Sequence, residues 1–333
     1  MEIIANEYAL PIREGWQTHA SNFLVLPGNR ILLAYFYGST EGKGDVRIYV
    51  SRREDGVCGQ WSEPQPVSPD DGIPHWNPVL HRYSDGTIAL FYKVSDEIYC
   101  WKTYIQISKD EGLTWSEPQE MIPGDNSGGR GPVRNKILKT ASGRLVCGGS
   151  TELSEWLCFF DLSDDEGKTW HRTSDIALPE LHTEEYLQSG GVTQDRGIIQ
   201  PTLWEDASGI HALMRSTQGY IYRTDSADDG ETWCDPYRIE LPNNNSGIDL
   251  DRTDDGSLVL AYNPVNLNWG VRSPLSLAIS KDDGKSWQHL THLVTSLWKP
   301  VEYSYPCVRW QDGCLHITFT WNRQTINYMC IRL

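Results

Sequence analysis

The sequence predicts an all-β protein built from repeated four-stranded antiparallel units. Two features predict this fold class: a short motif recurs at a nearly constant spacing, and alternating apolar segments flank its copies, whereas helical periodicity is absent. The motif reads Ser-x-Asp-x-Gly-x-Ser/Thr-Trp, and its clear copies begin at Ser108, Ser163, Ser226 and Ser280. A degraded copy begins at Ser51. The starts are 54 to 63 residues apart, so a chain of 333 residues holds close to six units, five with the motif and one without.

Each copy of the motif has the composition of a β-hairpin corner. The Asp carboxylate can accept hydrogen bonds from the backbone amides of its own turn, the Gly adopts a positive φ that other residues resist, and the Trp anchors the corner in an apolar slot. Alternating residues precede the last copy at 275–279, and a short extended segment follows it at 288–294. The motif is therefore predicted to join the third and fourth strands of each unit.

The units follow one another along a single predicted domain that covers residues 1–333. The N-terminal segment 2–12 is extended in character, and we expect it to add an outer strand to the last unit and so to close a ring. The segment 178–197, rich in glycine and charged residues, is expected to be an exposed linker between the third and fourth units. The predicted units span residues 18–67, 75–121, 133–176, 198–239, 246–294 and 303–333.

The charge and the cysteines limit the classes of partner and environment. The net charge of −16 opposes nucleic acids and anionic membranes as partners, so an anionic substrate would need a local cluster of arginines. No apolar stretch of about eighteen residues and no export signal occurs, so we expect a cytoplasmic protein, although a leader removed before residue 1 would leave the same sequence. The 8 cysteines form no CxxC pair and are expected to be reduced, buried thiols. Since metal-ligand spacings and phosphate-binding glycine loops are also missing, we expect no metal and no cofactor.

The repeated motif resembles the Asp-box of the sialidase (neuraminidase) superfamily of BNR/Asp-box repeat proteins. Four clear copies and one degraded copy, spread over most of the chain, carry this resemblance. It implies a six-bladed β-propeller with four-stranded antiparallel blades, in which the innermost strands line a central channel and the loops at one rim form the binding site. Asp-boxes also occur in propellers with other activities, so the motif indicates the fold rather than the reaction.

The resemblance also implies positions for site residues. Sialidases hold the substrate carboxylate with three arginines and use a tyrosine nucleophile, its glutamate partner and an aspartate acid/base. Arg215 and Arg272 are similar in position to the second and third arginines, and Tyr303 is similar in position to the nucleophile. The acid/base loop, 37–45, offers Glu41 or Asp45 without a clear choice.

Two positions depart from the sialidase pattern. The first arginine is missing, because the segment that would carry it, 19–23, reads HASNF, and Gln200 stands where the glutamate partner is expected. A glutamine cannot accept the proton of a tyrosine. An unchanged sialidase mechanism is therefore not expected, and the substrate is predicted to differ from ordinary sialic acid, for example a uronic acid or another keto-sugar acid.

Further polar residues lie near the starts of inner strands in other units. An arginine with a lysine suits a carboxylate or a sulfate, a histidine can transfer protons, and a glutamate could donate a proton or assist a nucleophile. If each residue lies where its repeat position suggests, the positive side chains converge on the channel. These candidates are His75, Arg134, Lys136, Glu152, Asn245 and Arg323.

Each candidate also has a structural alternative. Arginines beside aspartate-rich turns are often ion partners within the fold. His75 could be a hydrogen-bonded loop residue, and Asn245 lies in an Asn-Asn-Asn-Ser-Gly run that is typical of a tight turn. Tyr303 could be a core residue, in which case Tyr305 beside it would be the tyrosine that faces the other way.

The sequence thus predicts a sialidase-like exo-glycosidase that acts on a terminal acidic sugar of an oligosaccharide, such as a sialic or uronic acid. Tyr303 would be the nucleophile or charge stabiliser, and Arg215 and Arg272 would hold the carboxylate. The candidate proton donors are Glu41, Asp45 and Glu152.

Two alternative functions stay open. One is a propeller lyase that acts on uronate-containing glycans, with Tyr303 or His75 as base and acid. The other is a propeller that binds glycans without catalysis. The sugar, the linkage, the stereochemical outcome and the oligomeric state are left open by the sequence.

Overall fold

The described parts of the chain fold into β-sheets. The computed structural model describes residues 1–54, 59–153, 155–179, 196–296 and 301–333. Within these ranges the helical structure is limited to one 3₁₀ turn at Ile98–Cys100, and no helix is long and apolar enough to cross a membrane. The prediction of an all-β protein is confirmed.

The strands are numbered in chain order and fall into groups of four. The N-terminal strand is β1 (Glu2–Tyr8). The first three groups are β2 (Gln17–Leu26), β3 (Arg30–Gly38), β4 (Arg47–Arg53) and β5 (Gln65–Pro66); β6 (His75–Arg82), β7 (Ile88–Val94), β8 (Lys102–Ser108) and β9 (Gln119–Glu120); and β10 (Leu138–Lys139), β11 (Leu145–Glu152), β12 (Glu155–Ser163) and β13 (His171–Arg172). The later groups are β14 (Arg196–Asp206), β15 (Gly209–Ser216), β16 (Tyr220–Ser226) and β17 (Tyr237–Pro242); β18 (Asp249–Arg252), β19 (Leu258–Tyr262), β20 (Leu275–Ser280) and β21 (Gln288–Val294); and β22 (Tyr303–Gln311), β23 (Cys314–Trp321) and β24 (Thr325–Arg332).

Consecutive strands pair in an antiparallel manner within each group. Four sheets of the described chain have four strands, in the orders β2-β3-β4-β5, β6-β7-β8-β9, β18-β19-β20-β21 and β1-β24-β23-β22. The fifth sheet has eight strands, because Glu155 and Trp156 of β12 pair in parallel with Arg196 and Gly197 of β14 and so join the third and fourth groups. The four-stranded antiparallel arrangement is confirmed, whereas the count of six blades stays a prediction.

The N-terminal strand completes the last sheet, as the sequence predicts. β1 runs antiparallel to β24, with Ile3 opposite Ile331 and Tyr8 opposite Asn327. The first strand of the chain is therefore held by the last one.

Apolar cores lie between consecutive groups of strands. In the core between the first two groups, Leu32 and Ile48 pack with Leu90. Similar cores join the second to the third group, the third to the fourth, the fourth to the fifth and the fifth to the sixth. A further core, which contains Phe23 and Tyr328, joins the first group to the last. Each group thus buries apolar surface against both of its neighbours, which is the main favourable contribution to folding.

The repeated motif forms the predicted corner between the third and fourth strands. In the copy between β20 and β21, Asp282 Oδ1 accepts a hydrogen bond from the Ser286 amide at 2.9 Å, and Ser280 Oγ accepts one from the Gly284 amide at 2.8 Å. Gly284 has a φ of +77°, which other residues resist. Hydrogen bonds from Ser286 hold the pKa of Asp282 at about 2. Each motif tryptophan packs into the core shared with the preceding group, so the motif positions neighbouring groups.

The cysteines in the described ranges are all free thiols. Cys147, Cys158, Cys307 and Cys330 are buried, whereas Cys100 and Cys234 are exposed. The prediction of buried thiols is therefore correct for some of the cysteines and wrong for others. The remaining cysteine, Cys58, and most of the predicted linker 178–197 lie outside the described residues.

Candidate active site

The first strand of four groups contains an irregularity near its N-terminal end. In β2, β6, β14 and β22 the register with the next strand shifts by a residue. A non-glycine residue with positive φ lies at each shift: Ala20 at +54°, Asn77 at +45°, Gln200 at +57° and Tyr305 at +53°. Such a conformation is uncommon for these residues and breaks the alternation of side chains along a strand. Its recurrence at equivalent places identifies these strand ends as the part of the fold where side chains are redirected.

Tyr305 lies at the centre of a group of arginines that come from different groups of strands. The guanidinium carbons of Arg134, Arg215 and Arg272 lie 5.0, 5.7 and 5.5 Å from the centroid of its ring. Arg215 Nη1 also donates a hydrogen bond to Tyr305 Oη at 2.8 Å. Three cations therefore face one phenol.

Glu302, which precedes β22, connects two arginines at the more exposed side of this group. Its Oε1 atom accepts hydrogen bonds from Arg272 Nη1 at 2.8 Å, from Arg323 Nε at 3.0 Å and from Ser304 Oγ at 2.6 Å. Arg323 Nη1 also pairs with Glu41. We call Arg134, Arg215, Arg272, Arg323, Glu302 and Tyr305 together the arginine cluster.

Two guanidinium groups of the arginine cluster have no carboxylate partner among the described residues. Arg215 donates to Asn245 Oδ1 at 2.9 Å and to Gln200 Oε1 at 3.2 Å. Arg134 donates to the carbonyl of Pro306 at 2.6 Å and to a neighbouring amide, and its Nε atom has no partner in the described structure. Both side chains are buried, and burial lowers the pKa of Arg134. Buried cations without a carboxylate in direct contact are costly, so this arrangement is suited to an anionic ligand.

The electrostatics of the cluster act on Tyr305. Burial alone would raise its pKa, but the charges of Arg215 and Arg272 and a hydrogen bond from Gln200 outweigh burial and the opposing charge of Glu41. The pKa of Tyr305 therefore lies below its ordinary value. A phenol of this kind can carry negative charge next to a reacting centre.

His19 packs against Tyr305 and was not selected as a site residue from the sequence. The two ring centroids are 4.0 Å apart, and His19 Nδ1 lies 2.8 Å from Thr320 Oγ1. Burial, followed by the charges of the four cluster arginines, holds the pKa of His19 well below its usual value. The imidazole is therefore neutral. His19 lies in the segment 19–23, where the sialidase pattern would have its first arginine, and it adds no fifth positive charge to the cluster.

The prediction that places Tyr303 in the site is corrected by the structure. The Tyr303 ring packs against Trp321 at 4.7 Å and against Phe319 at 6.5 Å in the core between the last two groups of strands. A regular strand would direct residues 303 and 305 to the same face, but the register shift between Ser304 and Cys307 separates them. The tyrosine at the arginines is Tyr305, in accordance with the structural alternative for Tyr303.

Lys136 belongs to the interior of the fold rather than to the arginine cluster. Its Nζ atom donates to Asp249 Oδ2 at 2.7 Å, to the Leu250 carbonyl at 2.8 Å and to the Val308 carbonyl at 2.7 Å. These bonds use all three protons of the ammonium group. Lys136 is thus a structural cation, and its selection as a substrate-binding residue is not supported.

His75 and Asp45 also have local structural partners. His75 is buried, lies 2.6 Å from Ser68 Oγ and packs against Tyr92, and burial lowers its pKa. Asp45 closes its own loop by accepting hydrogen bonds from the Ser39 amide at 3.1 Å and from Ser39 Oγ at 2.8 Å. The contacts of both residues therefore explain their presence without a ligand.

The other predicted acids and amides differ in their placement. Of the two alternatives in the acid/base loop, Glu41 reaches the arginine cluster through Arg323. Glu152 ends β11 opposite Trp156, and its role as proton donor stays a prediction. Gln200 and Asn245 both accept hydrogen bonds from Arg215.

A sequence signal for the redirected residues does exist. Asn77, Gln200 and Tyr305 each precede a proline near the start of the first strand of a group. Proline restricts the backbone of the residue before it and cannot donate a strand hydrogen bond, so it often marks an irregularity. The recurrence of this dipeptide would have favoured Tyr305 over Tyr303.

Comparisons with known proteins agree with this architecture. Residues 29–317 match the model of the BNR repeat-like domain family. No protein with a curated function is significantly similar in sequence. Among solved structures, a protein of unknown function from Dyadobacter fermentans is 14% identical with a TM-score of 0.77, and the alignment covers 100% of this chain and 99% of that one.

Two sialidases are also similar in structure. The Hadza microbial sialidase Hz136 is 16% identical with a TM-score of 0.75, over 95% of this chain and 66% of that one. The NanB sialidase from Streptococcus pneumoniae is 12% identical with a TM-score of 0.70, over 97% of this chain and 71% of that one. At these identities the likeness shows a shared fold.

Proposed function

Because this chain belongs to the BNR repeat-like domain family, we propose that it is a sialidase-like glycosidase that removes a terminal acidic sugar from an oligosaccharide. The observation that carries this proposal is the arginine cluster around Tyr305, in which two buried guanidinium groups lack a carboxylate partner among the described residues. A net charge of −16 makes such a local excess of positive charge unusual for this chain.

We further propose that the groups of strands form a six-bladed β-propeller. Two observations support it: apolar cores join each group to the next and the first to the last, and β1 pairs with β24. The eight-stranded sheet would then be two blades joined by the short parallel pairing of β12 and β14.

In the proposed reaction the sugar carboxylate binds to Arg134, Arg215 and Arg272. The bond between the anomeric carbon and the leaving oxygen breaks while an acid donates a proton to that oxygen, and Tyr305 stabilises or attacks the positive carbon that develops. A lowered pKa favours this role because it increases the fraction of phenolate. Water then attacks the anomeric carbon and releases the free sugar acid.

The candidate proton donors are compared by their contacts with the arginine cluster. Glu41 lies beside Arg323 and so belongs to the surroundings of the site, whereas Asp45 is engaged by Ser39. We propose Glu41 as the first candidate and Glu152 as the second. Substituting each by glutamine and measuring the dependence of turnover on leaving-group pKa distinguishes them, since loss of the true donor affects poor leaving groups most.

The experiment that tests the proposal is a panel of aryl glycosides of N-acetylneuraminic, glucuronic and other sugar acids. We expect one of them to release the aryl alcohol, and Tyr305→Phe to lose turnover while it retains affinity for the released acid. The matched control is Tyr303→Phe, which changes a ring in the core. Absence of turnover on every acidic glycoside by the wild-type protein would contradict the proposal.

A lyase is the second candidate because Tyr305 could act as a base. Arginines that neutralise a uronate carboxylate would acidify the α-proton, and the Tyr305 phenolate would take it. The bond from the neighbouring carbon to the leaving oxygen then breaks as the double bond forms, and the Tyr305 phenol returns the proton to that oxygen. His75, which the sequence offered as an alternative base or acid, contacts Ser68 and Tyr92 instead. Ultraviolet absorption by the conjugated alkene product distinguishes this reaction from hydrolysis.

A glycan-binding protein without activity is the third candidate. Gln200 favours it, because the side chain beside Tyr305 and Arg215 cannot accept a proton. This candidate predicts that the acidic glycan binds the wild-type protein and Tyr305→Phe equally and that neither converts it.

A further inference from the structure

Lys93 of β7 is a buried lysine that lies outside the arginine cluster. Its side chain is 0% exposed, so its ammonium group depends on the protein for hydrogen bonds. The shortest hydrogen bonds of Nζ go to Thr103 Oγ1 at 2.7 Å, to the Arg130 carbonyl at 2.7 Å and to the Gly129 carbonyl at 3.2 Å. Three protons thus meet one hydroxyl and two consecutive backbone carbonyls, and Lys93 holds the main chain of residues 129 and 130.

The buried Asp161 of β12 holds the same stretch of main chain through other atoms. Asp161 Oδ2 accepts a hydrogen bond from the Gly131 amide at 2.5 Å, and Asp161 Oδ1 accepts one from Arg130 Nε at 2.6 Å. Lys93 belongs to the second group of strands and Asp161 to the third. The segment 129–131 is therefore fixed by buried charged side chains from two neighbouring groups.

This segment leads directly to Arg134 of the arginine cluster. Arg134 follows Gly131 by three residues, and three residues of extended chain span at most about 11 Å. Residues 132–137 precede β10 and belong to no strand, although the Val133 amide donates to the Gly148 carbonyl at 3.0 Å. Because regular strand pairing does not hold Arg134, its position depends on the anchors on either side, which are the segment 129–131 and Lys136.

The ammonium group of Lys93 is costly to bury. Burial lowers the pKa of Lys93 to about 7, although the charges of Cys147, Asp161 and Asp125 act in the opposite direction. An apolar side chain of similar length would avoid this cost, so we expect Lys93→Met to fold. The hydrogen bonds of Lys93 can therefore be removed without the loss of the surrounding structure.

We propose that Lys93 is a positioning residue for the arginine cluster: it holds the carbonyls of residues 129 and 130 and so fixes the segment that places the Arg134 guanidinium over the Tyr305 ring. Lys93 acts through the backbone and does not touch the substrate. Its effect on the affinity for a sugar acid rests on the proposed function, whereas its effect on the placement of Arg134 does not.

The test follows the Arg134 Nε–H resonance in the full chain labelled with ¹⁵N-arginine, where it is identified by its loss in Arg134→Met. The Nε atom is buried, and the guanidinium carbon lies 5.0 Å from the Tyr305 ring centroid, so the resonance reports the placement of this side chain. We expect it to shift in Lys93→Met and its hydrogen exchange to become about tenfold faster, because the segment opens locally more often.

The matched control is Lys102→Met on the neighbouring strand. Lys102 lies opposite Val94 and pairs with Glu120 at 3.1 Å, away from the segment 129–131, so the Arg134 resonance should stay unchanged. A second test variant, Thr103→Val, keeps the side-chain shape and removes the hydroxyl that bonds both Lys93 Nζ and the Arg130 carbonyl. It should change the resonance in the same direction as Lys93→Met, and it decides the question alone if Lys93→Met does not fold.

The positioning role and the proposed function fail in different ways. An unchanged Arg134 resonance and exchange rate in the folded test variants would overturn the role of Lys93. The dissociation constant for N-acetylneuraminic acid is measured in parallel, and a loss of affinity of about tenfold in Lys93→Met but not in Lys102→Met supports both proposals. If the resonance changes while wild type binds no sugar acid, or while the affinity is unchanged, the positioning role stands and the proposed place of Arg134 in the ligand site is contradicted.

Discussion

Arg134 and Lys136 provide a direct test of whether the arginine cluster is built for a ligand rather than for stability. The two cations are two residues apart on one segment, and both are largely buried. Lys136 pairs with the buried Asp249 at 2.7 Å, whereas Arg134 has no carboxylate partner in the described structure. Substituting each by methionine keeps a long apolar side chain and removes the charge.

The expected effects on stability differ because the partners differ. Lys136→Met leaves the buried Asp249 without its ion-pair partner, and breaking a buried ion pair typically costs about 3–5 kcal/mol of the free energy of unfolding. Arg134→Met loses two hydrogen bonds from a charged donor, about 3–6 kcal/mol in total. It also removes a desolvation cost of several kcal/mol and the repulsion from Arg215, and it loses the attraction of the Asp249 charge, which acts on Arg134 more strongly than Arg215 does. These contributions nearly cancel, so we expect a net change within about 1 kcal/mol of wild type.

The assay is urea unfolding with linear extrapolation, repeated with a saturating acidic sugar. A ligand at a hundredfold excess over its dissociation constant stabilises wild type by about 2.7 kcal/mol. This increment should vanish in Arg134→Met and persist in any folded form of Lys136→Met. A loss above about 2 kcal/mol in Arg134→Met without ligand would show that Arg134 is a structural cation like Lys136, and the reasoning would be refuted.

Three further outcomes follow from the same structure. Tyr305→Phe should lower turnover by about 10²–10³-fold, as expected when a group that stabilises developing charge is lost. Tyr303→Phe should change turnover less than fivefold (on the order of 1 kcal/mol). Equal effects in the two variants would contradict the placement of Tyr305 in the site. Arg272→Met should move the spectrophotometric titration of Tyr305, read as the difference from Tyr305→Phe, to higher pH, because Arg272 lowers that pKa; an unmoved titration would remove Arg272 from the site. Burial lowers the pKa of His81 and of His316 to about 4, so the unfolded chain takes up protons there first and stability should fall as the pH is lowered from about 6.5 to 4, by at most about 3 kcal/mol per histidine. Unfolding curves of His81→Gln and His316→Gln should show a smaller dependence on pH over this range, and an unchanged dependence would contradict the assignment.

The fold class was predictable because its determinants are local. In the four clear copies of the motif, the Ser and Asp side chains accept hydrogen bonds from backbone amides four residues later, as Asp282 does from Ser286, so the sequence of each copy predicts the corner that it forms. The alternating segments around each motif likewise reveal strands of period two. The pairing of β1 with β24 followed from the short extended segment at the N-terminus. The spacing of the motif predicts close to six units, but whether these units form a closed ring of blades depends on how the groups of strands meet, which the local pattern does not encode.

The site was predictable in part, and the limits have physical causes. The convergence of Arg134, Arg215, Arg272 and Arg323 was expected from their repeat positions, and the structure places all four around Tyr305 and Glu302. Strand alternation could not reveal which tyrosine faces them, because a register shift changes the face. The partner of Lys136, Asp249, is 113 residues away in the sequence, so spacing alone could not separate a structural cation from a ligand-binding one.

The structural cation also explains how the fold can hold unpaired arginines in place. Asp249 accepts hydrogen bonds from Lys136 Nζ at 2.7 Å, from Thr202 Oγ1 at 2.7 Å and from the Val308 amide at 2.8 Å. These donors belong to the third, fourth and sixth groups of strands, and Asp249 begins β18 of the fifth group. The hydrogen bonds of the Lys136–Asp249 pair therefore hold together the segments that carry Arg134, Gln200, Asn245 and Tyr305. This connection keeps the guanidinium groups from moving apart, so they repel one another in the free protein. A bound carboxylate would relieve that repulsion, and its binding would require little rearrangement of the protein.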